Sequence, residues 1–254
     1  MSPFPRLSAA AAAAAISAAL LTACGTQAPG RTPTTGARAA TTFPAAPSPT
    51  SSTTASAYSL TAPASVWVVV DKLRPLAPKT YVPPDLVVVP VRHTNPPELR
   101  RVAATALVSM FAASGRAALP LASNSAYRSF ATQTTVYAQD LQAHGRAAAD
   151  GLTARPGYSE HQTGLAIDIG PASGRCALSA CFAGTPEGKW LAVNAWRYGF
   201  ILRYPKGLTA ITGYDFEPWH YRFVGRPLAA RMHALRTPTL EQYFGLGAAP
   251  SYRQ

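Results

Sequence analysis

Apolar residues change their spacing along the chain, and these changes predict short strands and longer helices. Residues 66–70 (VWVVV) and 85–89 (DLVVV) are rich in valine and are separated by prolines, which favours short β segments. Further on, apolar side chains three and four positions apart predict a helix that begins at residues 95–97 (NPP) and ends at Gly115. We expect its apolar face to belong to the core rather than to a functional site.

The same signals predict two more helices and three more strands. One helix is expected at about 129–144, ended by Gly145, and another at 186–198, with Thr185 as N-cap and Gly199 as its stop. Strands are expected at 164–169, 200–204 and 219–224. This order predicts an α+β fold, a single domain in which helices pack on a mostly antiparallel sheet.

The first 63 residues differ in composition from the rest of the chain. Arg6, an apolar run and the letters LTAC ending at Cys24 are typical of a bacterial lipoprotein signal, with cleavage before Cys24 and lipidation of its sulfur. A short membrane-spanning or core helix is the alternative, but the run is shorter than the roughly 20 residues that cross a bilayer. We therefore expect a signal peptide at 1–23, a disordered tether rich in Pro, Thr, Ala and Ser at 24–63, and a folded domain at 64–254.

The formal net charge of +12 indicates anionic partners. Export excludes nucleic acid and leaves the cell envelope as the available polyanion, with ordinary solvated arginine as the alternative. Export also favours a disulfide between Cys176 and Cys181 over two buried thiols, and a metal pair is less favoured because no further cysteine could complete a thiolate site. We expect a monomer, anchored through Cys24 to the outer face of the bacterial cell membrane.

Asp168 is the first residue that points to chemistry, because a carboxylate in the middle of an apolar strand needs a cation beside it. His161 lies seven residues earlier in a polar turn that leads into this strand, and His220 opens the last predicted strand. Two imidazoles and one carboxylate leave the fourth position of a tetrahedral zinc free for water, as in catalytic zinc sites. Glu217, which lies next to this set, is the candidate general base of such a site on the sheet.

Several other chemistries are excluded by the sequence. None of the four lysines has Ser or Thr three positions earlier, so the serine penicillin-binding motif is absent, and no HExxH motif exists. Iron oxygenases also use two histidines and one carboxylate, but they usually place the acid two residues after the first histidine, which no histidine here has. We interpret His93, His144 and His233 as ordinary surface or core histidines.

Three motifs carry a family resemblance: SAYRS at 125–129 with Gln133, PGYSEHQTGLAIDIG at 156–170, and EPWHYR at 217–222. In this order and spacing, over roughly residues 73–226, they resemble the VanY-type D-alanyl-D-alanine carboxypeptidases. The resemblance implies the zinc ligands and the catalytic base already inferred from the chemistry. They are His161, Asp168 and His220 as ligands, and Glu217 as the base.

The resemblance also implies residues that bind the substrate. Arg128 is expected to face the scissile carbonyl oxygen or the terminal carboxylate, where a cation stabilises the developing oxyanion and favours a free C-terminus. An arginine that merely pairs with an acidic neighbour is the alternative. Gln133 and Ser159 are expected to hydrogen-bond the peptide, and Tyr204 to line the pocket.

We therefore expect a D,D-carboxypeptidase with one Zn²⁺ per chain, which removes the terminal D-Ala from peptidoglycan stem peptides by means of a metal-activated water. An L,D-carboxypeptidase or a D-Ala-D-Ala dipeptidase with the same site is an alternative, because pocket shape separates these substrates. A non-catalytic wall-binding module is a third hypothesis, and the presence of Glu217 argues against it.

Overall fold

The computed structural model describes residues 58–253. Its strands are β1 (Leu86–Val88), β2 (Glu98–Arg100), β3 (Leu121–Ser125), β4 (Ala166–Pro171), β5 (Phe200–Leu202) and β6 (His220–Phe223). Its α-helices are α1 (Arg101–Arg116), α2 (Phe130–Leu152), α3 (Pro186–Asn194), α4 (Thr209–Thr212), α5 (Arg226–Leu235) and α6 (Leu240–Tyr243). Three short 3₁₀ helices lie at Glu160–Thr163, Ala180–Gly184 and Ala195–Tyr198.

Four strands form an antiparallel sheet in the order β3-β4-β6-β5, and β1 pairs with β2 in a separate antiparallel hairpin. Strand β4 is central and buried along its whole length. Its Asp168 lies directly opposite His220 on β6, and a register irregularity in β3 brings Ser125 opposite Asp168 on the other side. The predicted α+β domain with a mostly antiparallel sheet is confirmed.

Helix α1 and the sheet share the main buried apolar cluster. Leu107 and Met110 of α1 pack in it together with Ile167 and Ile169 of β4. Because side chains alternate along a strand, Asp168 points away from these two isoleucines. The packing of α1 therefore fixes one face of β4 in the core and directs Asp168 to the other face.

The predicted strand at residues 66–70 is wrong, although Val68, Val69 and Val70 are buried. No described strand runs beside this segment. Instead, the Arg222 guanidinium donates to the carbonyl oxygens of Val66 at 3.0 Å and Val68 at 2.8 Å. A side chain thus satisfies backbone groups that a sheet would otherwise pair.

Other boundaries also shift from the prediction. Helix α1 begins only at Arg101, because the three residues before it form β2 and pair with β1. Helix α2 bends at Gly145, which has φ 77°, and continues to Leu152 rather than ending there. Thr185 caps α3 as predicted, with its hydroxyl accepting from the Gly188 N–H at 3.0 Å.

Tyr58 and Leu60, assigned to the end of the tether, contact the domain. Tyr58 packs against Trp67 with ring centroids 4.4 Å apart, and Leu60 packs against the apolar cluster around α5. The predicted signal peptide, Cys24 and most of the tether lie outside the described residues. Within residues 58–253, the helices are too short or too polar to cross a bilayer.

Candidate active site

The three candidate metal ligands meet where β4, β6 and the 3₁₀ turn at Glu160–Thr163 come together. One ligand atom each from His161, Asp168 and His220 can be chosen so that all three lie within 4.8 Å of one another. Asp168 Oδ2 is 3.3 Å from His161 Nε2, and Asp168 Oδ1 is 3.1 Å from His220 Nδ1. Gly164 joins the turn to β4 with φ 65°, and a Cβ there would overlap the Leu86 and Arg100 side chains. Only glycine suits this connection.

Hydrogen bonds orient both imidazoles toward one point. His161 Nδ1 lies 2.6 Å from the Ala126 carbonyl oxygen and donates to it, which directs Nε2 at Asp168. His220 presents Nδ1 to Asp168 and turns Nε2 toward Glu160 Oε2 at 3.5 Å. Asp168 Oδ1 is buried and faces His220 Nδ1. Two imidazole nitrogens and a carboxylate that converge in this way fit a divalent zinc ion.

The pKa values of the metal-free site also fit a cation bound between these residues. Burial alone would raise the pKa of Asp168, but His161 and His220 outweigh it and hold that pKa well below its usual range. Burial lowers the pKa of His161. For His220, burial acts in the same direction, yet hydrogen bonding to Asp168 and Glu160 raises its pKa to about 9. A proton on His220 thus occupies the place of a cation between carboxylates.

Glu217 lies beside this group, with Oε2 3.7 Å from His220 Nδ1. Its backbone N–H donates to the Tyr204 carbonyl oxygen at 3.1 Å, and its own carbonyl oxygen accepts from the His220 N–H at 3.1 Å. Burial raises the pKa of Glu217 to about 8, with His220 opposing and Asp168 adding to the effect. The carboxyl group therefore lies beside the three candidate ligands and is not one of them.

The ligands open into a cavity of about 380 Å³ that also contains the four predicted substrate-binding residues. Gln133 is almost fully buried, and its Nε2 donates to the Ala154 carbonyl oxygen at 2.6 Å while Oε1 has no described partner. Tyr204 lies against His220 with ring centroids 4.8 Å apart. Ser159 is buried and Arg128 is partly exposed, and both line the same cavity. His93, His144 and His233 do not line it.

Glu160 has a place in the site that the sequence did not predict. It is fully buried, and its Oε1 accepts from Arg203 Nε at 2.9 Å and from Arg222 Nη1 at 2.8 Å. Arg203 also makes a two-pronged ion pair with Glu241 at 2.7 and 3.0 Å. These four residues form a charge-balanced cluster, here called the buried ion cluster. In the sequence, the only feature that could have indicated a role for Glu160 is that it directly precedes His161.

Comparison with known proteins identifies the family. The family model described as "VanY: D-alanyl-D-alanine carboxypeptidase" matches residues 96–226. The chain belongs to this family. Its membership confirms the resemblance drawn from the three motifs and makes the protein a carboxypeptidase.

Relatives of the VanY-family chain include carboxypeptidases of two specificities. A putative carboxypeptidase, YodJ, of Bacillus subtilis is 40% identical over 187 residues, which are 72% of this chain and 68% of YodJ. The LdcB LD-carboxypeptidase structure superposes with a TM-score of 0.68 and 39% identity, covering 72% of this chain and 87% of LdcB. A vancomycin-resistance D,D-pentapeptidase, VanY, was solved with Zn(II) and superposes with a TM-score of 0.59 and 30% identity. The superposition covers 70% of this chain and 97% of the VanY chain.

Proposed function

We propose that this VanY-family protein is an exported, lipid-anchored zinc D,D-carboxypeptidase that removes the terminal D-Ala from peptidoglycan stem peptides. The observation that carries the proposal is the convergence of His161, Asp168 and His220 beside Glu217 in one cavity. The zinc complex of the related VanY supports the choice of metal.

The ion would be held by His161 Nε2, Asp168 and His220 Nδ1. When bound, zinc supplies a Lewis acid that polarises a carbonyl and makes a water acidic at neutral pH. A cation at this position would also lower the pKa of Glu217, because it favours the ionised carboxylate. Glu217 would then be available as a base at neutral pH.

Glu217 is the group that moves the proton in this proposal. Its carboxylate takes a proton from the water whose oxygen bonds to the scissile carbonyl carbon. It then delivers that proton to the nitrogen of the departing D-Ala as the C–N bond breaks. The 3.7 Å separation from His220 Nδ1 keeps Glu217 near the metal position without making it a ligand.

Arg128 and Gln133 are proposed to position the peptide. Arg128 is the cation that lines the cavity and can pair with a C-terminal carboxylate or with the oxyanion that develops on the carbonyl. The unpaired Gln133 Oε1 can accept from a peptide N–H. A carboxylate-binding arginine favours removal of the last residue over cleavage within a chain.

An L,D-carboxypeptidase is the second candidate, and a specific observation favours it. LdcB superposes better than VanY does, with TM-scores of 0.68 and 0.59. The two activities share catalytic chemistry and differ in the stereochemistry of the residue before the scissile bond. The choice between them therefore depends on substrate tests.

The deciding experiment measures D-alanine released by the zinc-loaded protein, with and without chelator, from three substrates: a synthetic stem pentapeptide, a tetrapeptide and free D-Ala-D-Ala. Glu217→Gln should lower kcat by about 10² to 10⁴ while zinc stays bound, because the proton carrier is lost. Glu98→Gln, an exposed carboxylate outside the cavity, serves as the matched control.

Release from the pentapeptide that is sensitive to chelator supports the D,D activity. Release from the tetrapeptide alone would assign an L,D-carboxypeptidase, and release from free D-Ala-D-Ala alone would assign a dipeptidase. Zinc binding without any release would instead support a non-catalytic wall-binding module.

The anchor has its own test, because Cys24 lies outside the described residues. We expect the full chain expressed in bacteria to incorporate labelled palmitate and to sediment with membranes, and Cys24→Ser to lose both. If the wild-type protein incorporates no labelled palmitate, the lipoprotein proposal is contradicted and the enzymatic proposal is unaffected.

A further inference from the structure

A loop closed by the Cys176–Cys181 disulfide reaches the active-site cavity. Leu178, between the two cysteines, lines this cavity together with the candidate metal ligands. Leu178 is about half exposed, whereas His161, Asp168 and His220 are nearly fully buried. Leu178 therefore lies at the rim of the cavity and the metal position lies at its floor.

The backbone of this loop adopts an unusual conformation. Cys176 has φ 60° and Leu178 has φ 51°, so both lie in the left-handed region that residues other than glycine rarely occupy. Such positions persist where surrounding structure holds them, and they concentrate at binding sites. The disulfide joins two residues five positions apart and closes the loop that contains both of these positions.

Core packing does not explain the orientation of Leu178. Its side chain belongs to none of the buried apolar clusters of residues 58–253, although Cys176 packs against the main one. Leu152, at the end of α2, is a second half-exposed leucine that lines the same cavity. Two exposed leucines on an otherwise largely polar cavity offer a surface for an apolar ligand group.

We propose that Leu178 is a specificity-determining residue, held by the Cys176–Cys181 disulfide against the aliphatic part of the stem peptide. This inference rests on the proposed function. It extends that function from the scissile bond to the part of the bound peptide that projects out of the cavity. A substrate whose C-terminal carboxylate is held near the metal must project its preceding residues past the rim. A free dipeptide ends before it reaches the rim, so Leu178 favours long peptides over dipeptides.

The test compares steady-state kinetics of the zinc-loaded full chain on a stem peptide and on D-Ala-D-Ala. Leu178→Ala should raise KM for the stem peptide about five- to tenfold with kcat within about twofold, because apolar contact is lost without change to the reacting groups. Any turnover of the dipeptide should be unchanged. Leu235→Ala, an equally exposed leucine outside the cavity, is the matched control and should match wild type.

The disulfide provides a second, independent variant. The double variant Cys176→Ser, Cys181→Ser should raise KM for the stem peptide to the same extent as Leu178→Ala. Adding Leu178→Ala to it should raise KM little further, because both changes remove the same contact between Leu178 and the peptide. Zinc content and thermal midpoint, measured on each variant, separate this effect from unfolding.

Two results would overturn the inference and are distinguishable from each other. If wild type cleaves the stem peptide and Leu178→Ala behaves like Leu235→Ala, the inference fails and the proposed function stands. If wild type cleaves no peptide, the proposed function fails and the inference fails with it.

Discussion

The outer ring nitrogen of His220, Nε2, faces Glu160 Oε2 at 3.5 Å, and neither atom has another hydrogen-bond partner among the described residues. A metal-binding histidine usually donates its other N–H to a carboxylate or carbonyl, which fixes the tautomer that leaves the ligand nitrogen free. His161 already does so through the Ala126 carbonyl oxygen. Glu160 is placed to do the same for His220.

Glu160→Gln is therefore expected to lower zinc affinity about 10- to 100-fold, because the amide holds the His220 tautomer less firmly than the carboxylate. The measurement is competition for zinc against a chromophoric chelator. Glu241→Gln is the matched control, since it also removes one negative charge from the buried ion cluster but has no contact with His220. An equal loss of affinity in both variants would contradict a specific role for Glu160.

The pairing of Glu160 was not predictable from sequence for a physical reason. Its partners Arg203 and Arg222 follow 43 and 62 residues later, the first directly after β5 and the second within β6. Only the folded sheet brings the three side chains together. By contrast, the candidate ligands could be proposed from sequence, because a charge inside an apolar strand is anomalous by itself.

At the scale of elements, the register between β4 and β6 does most to assemble the site. Asp168 and His220 are direct partners across these strands, and the 3₁₀ turn before β4 returns His161 to them. Apolar alternation predicted both strands to within about two residues. Strand β3 was not predicted, because its sequence LASNS has few apolar residues. It is a strand through its antiparallel pairing with β4, which the local sequence does not reveal.

Helix α3 offers a sharp test of local packing. A Cβ on Gly188, in its first turn, would overlap the carbonyl oxygen of Phe182. Gly188→Ala should therefore destabilise the protein by about 3 kcal/mol or more, even though alanine favours helix formation. The measurement is the urea midpoint of unfolding.

Gly184→Ala is the control for that substitution, because nothing lies within 4 Å of the position of its Cβ. We expect Gly184→Ala to shift the urea midpoint little. A Gly188→Ala variant as stable as wild type would mean that the start of α3 can move away from Phe182, contrary to the close packing described.

For the whole molecule, two groups of the metal-free site, Glu217 and His220, hold protons at pH values where the unfolded chain would lose them. The folded pKa of Glu217 is about 8 against an ordinary 4.5, and that of His220 is about 9 against 6.5. Between each pair of values, the folded state binds a proton that the unfolded state has lost. Raising the pH over this range therefore favours unfolding.

The thermal midpoint of the chelated protein should accordingly fall as the pH rises from about 6 to about 8.5. Zinc should reverse this trend, because it replaces the proton on His220 and binds more tightly as that proton becomes easier to remove. The gap between zinc-loaded and chelated midpoints, measured by scanning calorimetry, should widen with pH. Glu217→Gln removes one of the two titrating groups, so its chelated form should lose less stability over the same range. A gap that stays constant would show that zinc and the His220 proton do not compete, which would contradict His220 as a ligand.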